Sequence, residues 1–73
     1  MRNLSEIKPG ETVEILRLGG KGAMKRRIMD MGMTKGVGVR VKKAAPLGDP
    51  VEVEVRGYSL TMRKADMRLI EVS

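Results

Sequence analysis

The sequence contains no cysteine, histidine, tryptophan or phenylalanine, and Tyr58 is its only aromatic residue. Without cysteine the chain cannot form a disulfide, and without cysteine or histidine it has no ligands for a conventional zinc site. The same two residue types are the commonest nucleophile and general acid–base in enzymes. We therefore expect a protein that is not an enzyme, with no catalytic residue, no metal site and no bound cofactor.

Long apolar runs are also missing. No run approaches the ~20 residues that a transmembrane helix needs, and the N-terminal stretch MRNLSEIKPGE lacks the apolar core of a signal peptide. The absence of cysteine is compatible with the cytoplasm. A chain of 73 residues has room for one domain, residues 1–73, with one small core. We expect a complete, soluble, intracellular protein.

The charge is strongly unbalanced. Fifteen Lys and Arg residues against nine Asp and Glu residues give a net charge of +6. Such an excess favours a negatively charged partner, which could be nucleic acid, an anionic membrane surface or an acidic protein. Proteins that bind single-stranded nucleic acid usually stack the bases on several aromatic rings, and this chain has one. Nucleic acid is therefore an open alternative that the charge alone does not favour.

The central stretch GGKGAMKRRIMDMGMTKGVGVRV predicts a short helix, a glycine stop, a turn and a strand. Three apolar residues at helical spacing share one face of that helix: Met24, Ile28 and Met31. Gly32 suits the left-handed residue that ends a helix, and Met33 would then fold back over Ile28 in a Schellman motif. A helix this short is marginal alone, so it must dock on other structure.

Five segments alternate in the way that half-buried strands do. They are Thr12–Leu18, 37–42, 51–56, 60–63 and 69–72. In the first of them, Leu16 and Leu18 fall out of phase with Ile15, which predicts a bulge or a twist. Residues 64–67 form a single turn before the last strand. We predict an all-β fold: a small SH3-like five-stranded barrel with one short α-helix inserted between strands 1 and 2.

Several polar side chains are expected to have structural roles. Two carboxylates on the third strand are expected to form ion pairs with two cations on the second: Glu52 and Glu54 with Arg40 and Lys42. Asp30, in the last turn of the helix, is expected to pair with Arg26 four residues earlier. Tyr58 is expected to pack at an end of the barrel with its hydroxyl in solvent.

The outer side of the helix is a candidate binding surface. Met29 lies about 140° from Met24 around the helix axis, with Lys25 and Arg26 beside it. An apolar residue framed by cations is typical of a protein-binding surface, although a single exposed methionine would need no explanation.

A second candidate is the loop 44–50, whose two prolines make it rigid and suited to recognition. Leu47 lies at its tip, and the simpler alternative is that this side chain packs back over the end of the barrel. We predict a partner-binding surface that includes both features: Lys21, Lys25, Arg26, Met29 and Leu47.

Five motifs follow one another along the chain: L-x-x-I-K-P-G-E, G-G-x-G, K-R-R-I-M-D-M-G-M-T-x-G, A-P-L-G-D-P-V-E-V-x-V-R-G-Y and L-x-x-R-K-x-D. Together they closely resemble the ferrous iron transport protein A family (FeoA) over essentially the whole chain. The resemblance implies a small cytoplasmic SH3-like protein that acts with FeoB, a membrane protein with a cytoplasmic GTPase domain that imports Fe²⁺. It implies an accessory role in ferrous iron uptake rather than iron carriage.

From this resemblance we expect the barrel to bind the cytoplasmic part of FeoB, to modulate its activity, and to lie at the inner membrane through that partner, without nucleic acid. Three alternatives stay open. The first is a basic SH3-like barrel that binds nucleic acid. The second is a regulatory module like the carboxy-terminal domain of iron-dependent repressors of the diphtheria-toxin-repressor type, which the chain also resembles. The third is weak self-association through the open edge of the sheet.

Overall fold

The structure is a computed structural model that describes residues 2–73. The strands are β1 (Arg2–Asn3), β2 (Thr12–Leu18), β3 (Gly38–Ala44), β4 (Val51–Val55), β5 (Tyr58–Met62) and β6 (Ile70–Val72). The helices are α1 (Gly22–Asp30) and α2 (Lys64–Met67), and a 3₁₀ turn covers Leu4–Glu6. All strand pairs are antiparallel, and the order across the sheet is β1-β6-β2-β3-β4-β5.

The predicted architecture is confirmed, with α1 inserted between the first two long strands. The five predicted strands correspond to β2 through β6, and the structure adds a sixth. The additional strand is β1, which pairs with β6 through Arg2↔Val72 and Asn3↔Glu71. Two residues are too few to show an alternating pattern, so β1 leaves no signal in the sequence.

One apolar core lies inside the sheet and under α1. Its fifteen buried residues are Leu4, Ile7, Val13, Ile15, Ile28, Met33, Val39, Val41, Val51, Val53, Val55, Met62, Met67, Ile70 and Val72. No polar or charged residue within 2–73 is buried. No helix in the same range is long and apolar enough to cross a membrane. Any charged group that takes part in function therefore acts from the surface of the described structure.

The C-terminal end of α1 forms the predicted Schellman motif. The Gly32 N–H donates to the Met29 carbonyl at 2.9 Å, and the Met33 N–H donates to the Ile28 carbonyl at 3.4 Å. Gly32 has φ 87°, the left-handed conformation that glycine adopts without a Cβ penalty. Met33 and Ile28 both lie in the core, so the motif fixes the end of α1 on the barrel.

Tyr58, the first residue of β5, also fixes this end of α1. Its side chain is 46% exposed, but its hydroxyl donates a hydrogen bond to the Met31 carbonyl instead of being left to solvent as expected. A Cβ built on Gly32 would lie 2.9 Å from that hydroxyl oxygen. Two constraints therefore favour glycine at position 32: the left-handed backbone conformation and the space that the Tyr58 hydroxyl occupies.

A β-bulge interrupts β2, as the broken alternation predicts. Against β6 the register runs Ile15↔Val72 and then Arg17↔Glu71, so Leu16 is the extra residue on β2. Leu16 and Arg17 are consecutive and both exposed, whereas a regular strand would point them to opposite faces. The bulge thus presents an apolar and a cationic side chain together on the outside of the barrel.

Candidate partner-binding surface

Helix α1 presents its outer side because the opposite side is held on the barrel. Ile28 is 1% exposed, and Met24 and Met31 are half-buried against the core. Met29 points away from them and is 45% exposed, with exposed Lys25 and Arg26 in the same helix. The predicted arrangement of an apolar residue among cations is therefore present on α1.

Met29 also lines an open groove of about 550 Å³ between the helix and β2, which we call the α1–β2 groove. Its lining residues include Leu16, Arg17, Leu18, Lys25, Met29 and Lys35. Leu16 is 37% exposed, so two large apolar side chains face solvent within one groove. Apolar surface surrounded by polar and charged side chains is typical of a site for another protein.

The structure places the five predicted contact residues in two separate groups. Lys25, Arg26 and Met29 line one shallow depression on α1, and Lys21 is exposed at the first turn of the same helix. Leu47 is 97% exposed at the tip of the β3–β4 loop, so the alternative in which it packs back over the barrel is wrong. Leu47 lines neither of the two depressions on α1.

The charges around the α1–β2 groove are not compensated. Residues 16–36 contain six Lys and Arg residues and one acidic residue, Asp30, which gives this stretch +5 of the total charge of +6. None of the four ion pairs that the structure describes involves any of them. The expected pair between Asp30 and Arg26 is therefore wrong, and every cation of this stretch is left to solvent.

The outer face of β3 and β4 has the opposite arrangement, and the predicted cross-strand pairs are confirmed there. Arg40 lies 3.9 Å from Glu54, and Glu52 lies 3.4 Å from Lys42 and 4.0 Å from Lys43. The register brings these partners together, since Arg40 is directly opposite Glu54 and Lys43 is opposite Glu52. Each of the three cations on β3 therefore lies near one of the two carboxylates on β4.

Sequence reasoning missed the β2 side of the groove. Leu16 and Arg17 belong to the surface because the bulge exposes both, and Lys35 joins them from the turn before β3. The available signal was the break in alternation at Leu16, which indicates the bulge. It does not indicate that the bulge lies beside α1, because that proximity depends on how the helix packs.

The acidic side chains of the described residues are dispersed. Within residues 2–73, no group of three His, Cys, Asp or Glu side chains is arranged to hold a metal ion. One carboxyl has a perturbed pKa: a hydrogen bond from Arg2, 2.8 Å away, is the main cause that lowers the pKa of Glu11 below its ordinary value. The Arg2–Glu11 pair anchors β1, and neither residue lines the α1–β2 groove.

Comparison with known proteins identifies the family. The FeoA domain model matches residues 2–73. The chain belongs to the FeoA domain family. A curated relative is the Fe²⁺ transport protein A/Fe²⁺ transporter FeoB fusion protein of Porphyromonas gingivalis, 38% identical over 69 residues. The match covers 94% of this chain and 8% of that relative.

Solved structures share the fold of this FeoA domain. The NMR structure of a FeoA-like protein from Clostridium acetobutylicum matches with a TM-score of 0.91 and 34% identity, covering 97% of this chain and 83% of that one. A zinc complex of Stenotrophomonas maltophilia FeoA, an SH3 domain protein, matches with a TM-score of 0.88 and 23% identity, covering 100% and 91% of the two chains. The predicted SH3-like fold is thereby confirmed.

Proposed function

We propose that this FeoA domain is a cytoplasmic, non-catalytic accessory protein of ferrous iron uptake, which binds the cytoplasmic part of a FeoB-type transporter and modulates its activity. The observation that carries the proposal is the Porphyromonas gingivalis fusion protein, in which a 38% identical segment is joined to FeoB. A fusion keeps two parts at equal amounts and at a high effective concentration, which favours parts that act on each other. Through this partner the domain would lie at the inner membrane.

The surface around Met29 supports this role in physical terms. Met29 and Leu16 supply an exposed apolar centre, and Lys21, Lys25 and Arg26 supply a cationic rim. Burial of the apolar centre would provide affinity, while the cations would orient an acidic partner and speed its association. Leu47, on its separate loop, would provide a second, smaller contact.

The test replaces Met29 with aspartate and measures co-purification with FeoB from detergent-solubilised membranes. Met29→Asp is expected to abolish co-purification because it places a carboxylate in the apolar centre, with little change in thermal unfolding because the side chain is exposed. The matched control is Ala65→Asp, which adds the same charge at an exposed residue of α2, outside both the α1 surface and the loop 44–50. Full binding by Met29→Asp would remove α1 from the proposed surface.

Uptake of ferrous iron by cells lacking this chain gives the functional readout. Wild type and Ala65→Asp are expected to restore uptake to the same level, and Met29→Asp is expected to restore less. Equal rescue by all three would contradict modulation of the transporter through this surface.

Nucleic acid is a second candidate partner, favoured by the concentration of uncompensated charge on residues 16–36. Phosphate contacts make affinity fall steeply with salt. A gel-shift titration at two salt concentrations separates the candidates, since tight and salt-sensitive binding would favour nucleic acid. The sequence has a single aromatic residue, Tyr58, so it cannot supply the several rings on which single-stranded nucleic acid usually stacks.

A further inference from the structure

A second depression adjoins the α1–β2 groove and shares Arg17 with it. This depression is about 310 Å³ in volume, and its lining residues include Arg2, Arg17, Gly19, Arg68, Leu69 and Glu71. We call it the arginine cleft. Because the β2 bulge exposes Leu16 and Arg17 together, the apolar groove and the arginine cleft lie side by side on the surface.

Two of the three arginines in the cleft have free guanidinium groups. Arg2 is occupied: it binds Glu11 at 2.8 Å and donates two hydrogen bonds to the Ser73 backbone oxygen. Arg17 and Arg68 make no side-chain hydrogen bond or ion pair among residues 2–73. Arg17 forms no ion pair with Glu71 even though the strand register places them opposite each other.

The floor of the cleft is closely packed. The Gly19 N–H donates to the Leu69 carbonyl at 2.6 Å, and a Cβ on Gly19 would lie 3.2 Å from that oxygen. The two free arginines therefore extend from backbone that is fixed on both sides, Arg17 from β2 and Arg68 from the end of α2. A fixed scaffold reduces the conformational entropy that a ligand must overcome.

We infer that the arginine cleft and the α1–β2 groove form one composite site for an acidic peptide segment. A carboxylate of the segment binds the guanidinium groups of Arg17 and Arg68, and an adjacent apolar side chain packs on Leu16 and Met29. Guanidinium groups match carboxylates because they donate paired hydrogen bonds in one plane. The apolar neighbour distinguishes this site from one for a small inorganic anion, which would need the cleft alone. This inference rests on the proposed function, since the segment would belong to the transporter.

The first experiment titrates the isotopically labelled chain with short capped peptides and follows backbone amide shifts by NMR. The probe peptide has one leucine between two pairs of aspartates; in one comparison peptide asparagines replace the aspartates, and in another alanine replaces the leucine. The probe is expected to shift Leu16, Arg17, Met29 and Leu69. Removal of the carboxylates is expected to weaken binding about tenfold, and removal of the leucine about fivefold.

A pair of double variants tests which cations are used. Arg17→Gln with Arg68→Gln is expected to weaken binding of the probe about tenfold. Lys42→Gln with Lys43→Gln removes the same net charge from the β3–β4 face and is expected to change binding less than about twofold. Equal weakening by both double variants would overturn the inference, because the attraction would then be general rather than local.

Three further outcomes would overturn the inference without any variant. These are equal binding of the asparagine peptide, shifts confined to other parts of the chain, and inorganic phosphate displacing the probe while the alanine peptide binds as well as the leucine peptide. The last result would assign the cleft to small anions.

Co-purification with FeoB separates this inference from the proposed function. If Met29→Asp loses the transporter and the Arg17/Arg68 double variant keeps it, the transporter docks on α1 without the cleft, and the inference fails alone. If Met29→Asp keeps the transporter, the proposed surface fails, and the assignment of the segment to the transporter fails with it. Loss of the transporter in both variants, with retention in the Lys42/Lys43 variant, supports both.

Discussion

The β3–β4 face and the surface around α1 are both rich in cations and use them differently. On β3 all three cations lie within ion-pair distance of a glutamate on β4. Residues 16–36 contain six cations and one aspartate, and none of these residues forms an ion pair. Strand register explains the first arrangement, because directly opposed residues of opposite charge stabilise a sheet. The packing of the fold does not require the unpaired cations of residues 16–36.

The unpaired cations carry a small cost that the fold does not need. Like charges four residues apart on a helix are mildly destabilising, and Lys21 and Lys25 have this spacing with no acidic residue in the first turn of α1 to offset them. A surface that keeps such charges beside exposed Leu16 and Met29 is better explained by a partner than by stability. The contrast between the two faces therefore supports the proposed binding surface on the α1 side of the barrel.

The largest expected effect comes from detaching the helix that carries the unpaired surface. Ile28→Ala removes the side chain that holds α1 on the core, which is 1% exposed, and should lower the free energy of unfolding by about 3 kcal/mol. Urea denaturation measures this loss. Amide exchange should rise in α1 more than in β3 and β4, whose pairing does not involve Ile28. Equal exchange in all three would show that α1 is not an independently weaker part of the fold.

Gly32→Ala should weaken the C-terminal end of α1 by about 2 kcal/mol, because alanine is strained at φ 87° and its Cβ meets the Tyr58 hydroxyl. Gly36→Ala is the matched control: its φ is 89° and a Cβ there meets nothing within 4 Å. That control should cost about 1 kcal/mol from backbone strain alone. Thermal unfolding compares the two variants, and equal losses would show that the Tyr58 contact adds nothing.

Neutralising one charge on each face should separate paired from unpaired charges. Glu52→Gln removes the carboxylate that both Lys42 and Lys43 approach, and should cost about 0.5 kcal/mol at low salt, with less effect at high salt. Lys25→Gln on α1 should cost nothing, because it removes no ion pair. Thermal melts at two salt concentrations measure both, and an equal loss for Lys25→Gln would contradict the distinction between the faces.

The smallest expected effect is the pH dependence of the stability that the Arg2–Glu11 ion pair contributes. This pair lies on neither of the two faces compared above. Because the pKa of Glu11 is lowered in the folded chain, the ionised carboxylate stabilises the fold at neutral pH. That contribution is lost as the pH falls below the ordinary value of 4.5 through the lowered pKa. Glu11→Gln should melt at a slightly lower temperature than wild type near neutral pH, and this difference should disappear once the pH is below the lowered pKa. A difference that persists in acid would assign the effect to packing.

Features set by neighbouring residues could be predicted from the sequence. The glycine stop at Gly32, the bulge at Leu16 and the cross-strand pairs of Glu52 and Glu54 all follow from local spacing, and the structure contains each of them. The glycine stop and the break in alternation at Leu16 lie within one element, and the ion pairs join two strands connected by a hairpin. Local chemistry is sufficient in such cases.

Features set by packing between distant elements could not be predicted. The pairing of β1 with β6 and the hydrogen bond from Tyr58 to Met31 join residues far apart in the chain. The groove beside Met29 also requires the bulge of β2 to lie next to α1, which the spacing of neither segment indicates. Helical spacing alone predicts an ion pair between Asp30 and Arg26, but this spacing permits the pair without enforcing it.

The two ends of α1 are attached unequally. At the C-terminal end, the last turn is held by hydrogen bonds from the Met31 N–H, from the Schellman motif and from the Tyr58 hydroxyl. At the N-terminal end, Lys21 provides no side-chain cap and follows two glycines. A ligand that approaches through Lys21 would meet the more compliant end, while Met29 stands close to the anchored one. In the proposed complex, the backbone at the N-terminal end of α1 could therefore adjust to a ligand. Contacts near the C-terminal end would be made to a backbone that is already fixed.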